Sequence, residues 1–170
     1  MAAKRKKKSA KRGSSNTIQV RRVADGKSYE FAFPPSVRER SEDMEEVRAM
    51  LAAGETEIAV EELRWLLGGC HELLEAHRLL GEIAAEAGDR DLARAHFGYA
   101  FQLGTDALPR RGLDLPLPHA NPANQAFHEA GAGLIRTLLE LEESNKAKEI
   151  AMQLLALDPT DDCGVRKVLR

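Results

Sequence analysis

Aromatic side chains are scarce in this chain and thiols scarcer. Only 5% of its 170 residues are Phe, Trp or Tyr, and Cys70 and Cys163 are its two cysteines. So far apart and in no C-x-x-C pattern, they signal neither a disulfide framework nor a zinc knuckle. No apolar run approaches the ~18 residues of a membrane span. The charged N-terminus has no apolar h-region after it, so it does not read as a secretory signal. There is no G-x-G-x-x-G, P-loop or G-x-S-x-G phrase, which leaves nucleotide binding and a serine nucleophile without a motif. The reading is a soluble cytoplasmic protein with no cofactor and no catalytic role. It is long enough for about one domain with a real core.

What is present is rich in Ala, Leu, Glu and Arg: 43% of residues are hydrophobic and 31% charged. That composition favours helices. The net charge of -2 hides an asymmetry. Lys4, Arg5, Lys6, Lys7, Lys8, Lys11 and Arg12 are seven of the 25 basic residues; without them, 18 basic residues face 27 acidic ones, a body of about -9. The basic segment 1–16 has almost nothing to bury and is expected to be a disordered tail. It suits non-specific attachment to nucleic acid, ribosome or another polyanion, or else only solubilises the chain. It has no aromatic residue to stack on bases.

From Thr17 to Phe33 the pattern alternates on both sides of Asp25-Gly26, which predicts a β-hairpin over 17–35. Its Tyr29/Phe31/Phe33 face needs a surface to pack on, because a lone hairpin is marginal in water. Pro34-Pro35 ends it. The period then becomes helical, and residues 36–170 form the helical domain. One helix carries Val37, Met44, Val47, Met50 and Leu51 and ends near Gly54, a suitable C′ residue. Its partner carries Ile58, Ala59, Leu63, Leu66 and Leu67. A second pair spans His71 to Leu103, turning at Ala87-Gly88-Asp89-Arg90. A third carries Leu134, Leu138 and Leu141, then Ala147, Ala151 and Leu154. Residues 104–124, with Pro109, Pro116, Pro118 and Pro122, read as an insertion loop. Val165 to Arg170 read as a short terminal helix.

The order of small and large residues is specific. Ala93, Phe97 and Ala100 follow Gly81 at spacings of 12, 16 and 19; Ala59 and Ala93 lie 34 apart, with Leu63 and Phe97 at the same offset. Pro159 closes the third pair. Ala147 lies 54 beyond Ala93, one period plus an insertion of about 20. This pattern resembles the tetratricopeptide (TPR) repeat family over roughly residues 37 to 160, with Val47 and Ile135 where the first and third repeats would carry the small residue. The resemblance implies an all-α, right-handed stack of three TPR-like helix pairs with the short N-terminal β-hairpin. It also implies a concave groove lined by the first helix of each pair. Here that means Met44, Arg48 and Leu51, then Glu75, Arg78, Glu82 and Glu86, then Glu129, Arg136 and Glu140. The implied work is a scaffold or adaptor holding a protein or peptide in that groove. Glu82 stands where a carboxylate clamp would need asparagine, which disfavours a carboxyl-terminal peptide.

Other candidates for chemistry are thin. His71 and Glu75 share a helical face, but His77 lies at i+6, so a zincin-like H-E-x-x-H is not formed. Cys70 follows Gly68-Gly69 at a helix N-terminus, where a thiol pKa can fall; a structural cysteine is the commoner outcome. Leu113, Leu115 and Leu117 alternate in the proline loop, so it either packs on the helices or, with Arg110, Arg111 and His119, makes a contact arm.

Overall fold

The computed structural model describes residues 15–170. The basic segment from Lys4 to Arg12 lies outside the described residues. Strands β1 (Gln19–Arg22) and β2 (Tyr29–Ala32) pair antiparallel, with Gln19 opposite Ala32 and Arg22 opposite Tyr29. The connection turns where the Gly26 N–H donates to the Val23 carbonyl at 2.9 Å, with Gly26 at φ 71. Phe31 is buried and meets Phe127 edge-on at 5.2 Å between centroids, so the aromatic face of the hairpin packs on the helices.

Seven α-helices follow among the described residues: α1 (Pro35–Arg38), α2 (Ser41–Ala52), α3 (Thr56–Gly69), α4 (Leu74–Glu86), α5 (Arg90–Ala107), α6 (Pro122–Glu140) and α7 (Ser144–Leu157). A 3₁₀ turn, Val165–Leu169, packs its buried Val165 against α7. Two sequence-based boundaries need correction. The helix expected from Val37 is broken: Pro35 opens a single turn, Arg40 leaves helical geometry at φ -94, ψ 8, and α2 starts at Ser41. The insertion is shorter than 104–124. Helix α5 continues to Ala107, and α6 begins at Pro122, where the missing N–H costs nothing and Asn121 Oδ1 accepts from Ala123 N–H at 3.0 Å.

Helices α2/α3, α4/α5 and α6/α7 pack as consecutive pairs, and α4 also touches α3 and α6. The first helix of each pair ends in one hydrogen-bond pattern. Glu55 N–H reaches Met50 O, Asp89 N–H reaches Ala84 O, and Glu143 N–H reaches Leu138 O, at 2.9, 2.9 and 2.8 Å. This pattern needs a left-handed residue at C′. Gly54 and Gly88 fill it at φ 79 and 78, whereas Glu142 takes it at φ 61, where a Cβ is strained.

The apolar interior has two parts. Met44, Val47, Ala59, Leu63, Leu66 and the α4 residues Leu79 and Leu80 form one; the hairpin, α5, α6 and α7 form the other with Leu74 and Ala84 of α4. Ala59, Ala93, Ala100, Ala147 and Ala151 are all fully buried, as close helix approach requires. Phe97 fills the junction of α4, α5 and α6. A β-carbon on Gly81 or on Gly133 would come within 2.6 Å of its ring.

Gly133→Ala is therefore expected to destabilise the fold by about 1–3 kcal/mol through overpacking. Gly98→Ala, in the middle of α5 with open space around the added methyl, should stabilise it by about 0.5–1 kcal/mol. Urea denaturation of the two variants checks both signs. By the same measurement Glu142→Gly should raise stability by about 0.5–1 kcal/mol, because it removes left-handed strain from one helix terminus.

Candidate functional site

A chain of charged side chains crosses α2, α4 and α6. Arg48 of α2 donates to Glu75 Oε1 of α4 at 2.6 Å. One and two turns along α4, Arg78 lies 3.9 Å from Glu75, 2.7 Å from Glu82 and, across to α6, 3.2 Å from Glu129. Glu129 lies 3.5 Å from His119 Nε2, and His119 Nδ1 is 3.9 Å from Asp162. Arg78 is the hinge of the series. Its side chain is only 13% exposed, three carboxylates surround its guanidinium, and its buried Nε has no hydrogen-bond partner. The outer pairs are largely solvated, so each contributes little to folding, about 0–1 kcal/mol. What they provide is a fixed pattern of donors and acceptors over three helices.

Five of the ten residues expected on the binding face, Arg48, Glu75, Arg78, Glu82 and Glu129, thus meet in one network. Met44 does not: it is 3% exposed and belongs to the core between α2 and α3. Leu51 is half-buried against the same cluster. Glu86 is exposed at the end of α4, and Arg136 is exposed with no ion-pair partner among the described residues. Glu140 turns to the other flank, accepting from Arg90 Nε of α5 at 2.9 Å. His119 and Asp162 were not part of the expected face. His119 reaches it because the proline loop folds back, and Asp162, in the turn after α7, joins through His119.

That loop is clamped. Leu117 is fully buried; its N–H donates to Leu157 O at 2.8 Å, and its carbonyl accepts from His128 Nε2 at 2.7 Å. The His119 N–H donates to Asp158 Oδ2 at 3.0 Å. Burial acts to raise the Asp158 carboxyl pKa, but hydrogen bonds from Thr160 and His119 N–H outweigh it and hold it below its ordinary value. Buried Asn124 joins loop, helix and sheet: Oδ1 accepts from Phe31 N–H at 3.0 Å, and Nδ2 donates to Tyr29 O and Pro118 O at 3.1 and 3.0 Å.

The remaining reactive side chains lie in structural settings. Burial first, then surrounding carboxylates, push the Cys163 thiol up to about 11, the wrong direction for a nucleophile. Cys70 is buried. His77 of α4 and His96 of α5 face each other, Nδ1 to Nδ1, at 3.3 Å, with the Tyr99 ring 4.5 Å from His77. Among the described residues no group of three or more His, Cys, Asp or Glu side chains is arranged to hold a metal ion. No helix among them is long and apolar enough to cross a membrane.

Burial, then the neighbouring His96, lower the His77 pKa to about 4 from an ordinary 6.5. The native state thus holds His77 neutral, and protonation favours the unfolded chain. Its contribution is present above pH 6.5 and lost as pH falls toward 4; the lowered values of His96 and His128, both set first by burial, act in the same direction. Between pH 6.5 and 5, His77→Gln should lose less stability than the parent chain, by on the order of 1 kcal/mol after allowing for solvent screening. Denaturant titrations across that range check it; parallel pH profiles would refute it.

No protein-family model matches the chain, and no curated protein matches it.

Proposed function

We propose that the chain is a non-catalytic scaffold of the tetratricopeptide-repeat type, binding a peptide or protein partner across α2, α4 and α6. One observation carries the reading: the first helix of each of the three pairs supplies side chains to one continuous ionic network, Arg48–Glu75–Arg78–Glu129. The first helices of successive pairs share a face in this way when the pairs repeat one geometry. The repeated end of α2, α4 and α6, at Gly54, Gly88 and Glu142, supports that repetition, as do the buried alanines 59, 93 and 147. Such a face binds through desolvated anchors, with the charge pattern setting partner choice and register. Arg48, Glu82 and Glu129, each more than a third exposed, have the reach to exchange intramolecular partners for those of a ligand.

The test uses the full chain and a doubly reversed variant, Arg48→Glu with Glu129→Arg, in affinity capture from native lysate with and without nuclease. Both reversals set like charges against Glu75 and Arg78, so the melting curve of the variant is recorded beside the capture, and weaker capture is read from protein that keeps the parent fold. The expected result is one protein partner that resists nuclease and binds the variant at least about tenfold more weakly. Capture that survives the double reversal removes the scaffold reading for this face. Capture that nuclease abolishes instead favours tethering by Lys4 to Arg12. In that case log K should fall against log salt with a slope of roughly -6 for seven phosphate contacts.

A further inference from the structure

The two edges of the hairpin are treated differently. On the outer edge of β2, Tyr29 N–H donates to Pro116 O at 2.8 Å, Phe31 N–H to Asn124 Oδ1 and Tyr29 O accepts from Asn124 Nδ2. The main-chain groups of Tyr29 and Phe31 therefore point away from β1. In an antiparallel ladder their opposite numbers, Arg22 and Val20, must then point away from β2. The N–H and C=O groups of Val20 and Arg22 have no hydrogen-bond partner among the described residues. Among the described residues, three main-chain groups of the β2 edge are bonded and the β1 edge is open.

The open edge does not face bulk solvent across a flat surface. Gln19, Val20 and Arg22 of β1, with Tyr29 of β2, form one side of a cleft of about 750 Å³, and residues from Ala107 to Asp114, among them Pro109, Arg111 and Leu113, form the other. The volume lies in the range of sites that hold a ligand. Free strand groups on one side and a mixed wall on the other, apolar at Pro109 and Leu113 and charged at Arg111 and Asp114, match what an extended peptide presents, namely main chain along its edge and alternate side chains above and below.

The charge around the cleft selects the peptide. Arg22 is joined to Asp114 at 2.5 Å, and Tyr29 Oη donates to the same carboxylate at 2.7 Å. Glu30 is held by Arg21 at 2.7 Å and by Asn121. Asp106, at the end of α5, accepts from Gln102 at 2.5 Å. Of the charges that line the cleft, Asp114 is thus taken up by Arg22, which leaves Arg111 without an ion-pair partner among the described residues; nearby, Arg110 and Lys27 have none, and neither do Asp25 and Asp106. In a body of about -9, the lining of this cleft has one more positive than negative side chain, Arg22 and Arg111 against Asp114.

We propose that β1 accepts an extended acidic segment of a partner protein as a third strand, seated in the cleft between the hairpin and residues 109–114. This site is separate from the α2/α4/α6 face. The probe is an acetylated, amidated Glu-Val-Glu-Val-Glu-Val peptide added to the isotopically labelled full chain, with Lys-Val-Lys-Val-Lys-Val as its charge-reversed counterpart. Binding of the glutamate peptide should slow hydrogen exchange at the Val20 and Arg22 amides. Val20→Pro removes one edge donor without touching the β1–β2 ladder, and should weaken binding by about tenfold. Arg110→Glu with Arg111→Glu leaves the strand intact and should shift the preference to the lysine peptide. The proposal is overturned if the glutamate peptide does not bind, or if it binds without slowing those two amides. It is equally overturned if Val20→Pro binds as well as the parent, or if polyphosphate displaces the peptide while the amides exchange unchanged, which marks a simple polyanion patch.

Discussion

The ring of Phe97 lies where neither Gly81 nor Gly133 has room for a single methyl group, and that contact sets the approach of α4, α5 and α6. Cores are packed at the density of organic solids, so a ring held between two backbones admits few rotations of any of the three helices. The scarce aromatic residues are concentrated along this seam. Phe101 stacks on Phe127 at 5.1 Å, Phe127 fills the space that Gly104 leaves, and Phe31 brings the hairpin against the same ring. The first pair, α2/α3, lies outside the seam. Its interior is Met, Val, Leu and Ala, and it joins the rest through α4 and the Arg48–Glu75 pair. The proposed partner face therefore spans a tightly keyed part, α4 and α6, and a more simply attached one, α2.

Much of this was legible in the residue order because the contacts that matter recur at a period. Ala59, Ala93 and Ala147 could be aligned on spacing alone, and all three are buried. The small residues of the third pair were not legible in the same way. Ile135 holds the aligned position, yet the close approaches are made by Gly131 to Leu154 and by Gly133 to Phe97. In a run such as Ala130-Gly131-Ala132-Gly133, a glycine has meaning only once the opposing side chain is known. Met44 failed for a related reason. On a short amphipathic helix, a position at the border of the apolar stripe can turn to the core or to the groove, and here packing against α3 decided it.

The polar contacts least visible in the sequence are those that join residues some 90 positions apart. Asn124 was read as the end of a loop, but it is fully buried and replaces a neighbouring strand for β2. Two of its three hydrogen bonds go to β2 and help explain why a two-stranded hairpin, marginal by itself, sits firmly on the helices: unpaired main-chain groups at that depth would cost more than the hairpin's own ladder returns. Nothing in an isolated Asn-Pro-Ala-Asn stretch encodes that role, since the side chain is indistinguishable from a helix-capping one until the sheet is placed.

The same loop borders both surfaces proposed here. At one point Asp114 ties Arg22 and Tyr29 at the wall of the hairpin cleft; a few residues on, His119 reaches Glu129 of the ionic network. Between them Leu117 is buried and bonded by its N–H to the end of α7 and by its carbonyl to His128. A segment pinned at its middle by a buried side chain and two main-chain hydrogen bonds does not transmit displacement easily from one end to the other. The loop therefore acts as a spacer, holding the free edge of β1 and the α2/α4/α6 face in a fixed relation. Two segments of one partner, or two different partners, would then meet a preset geometry, and the second contact would be strengthened by proximity without any change of shape.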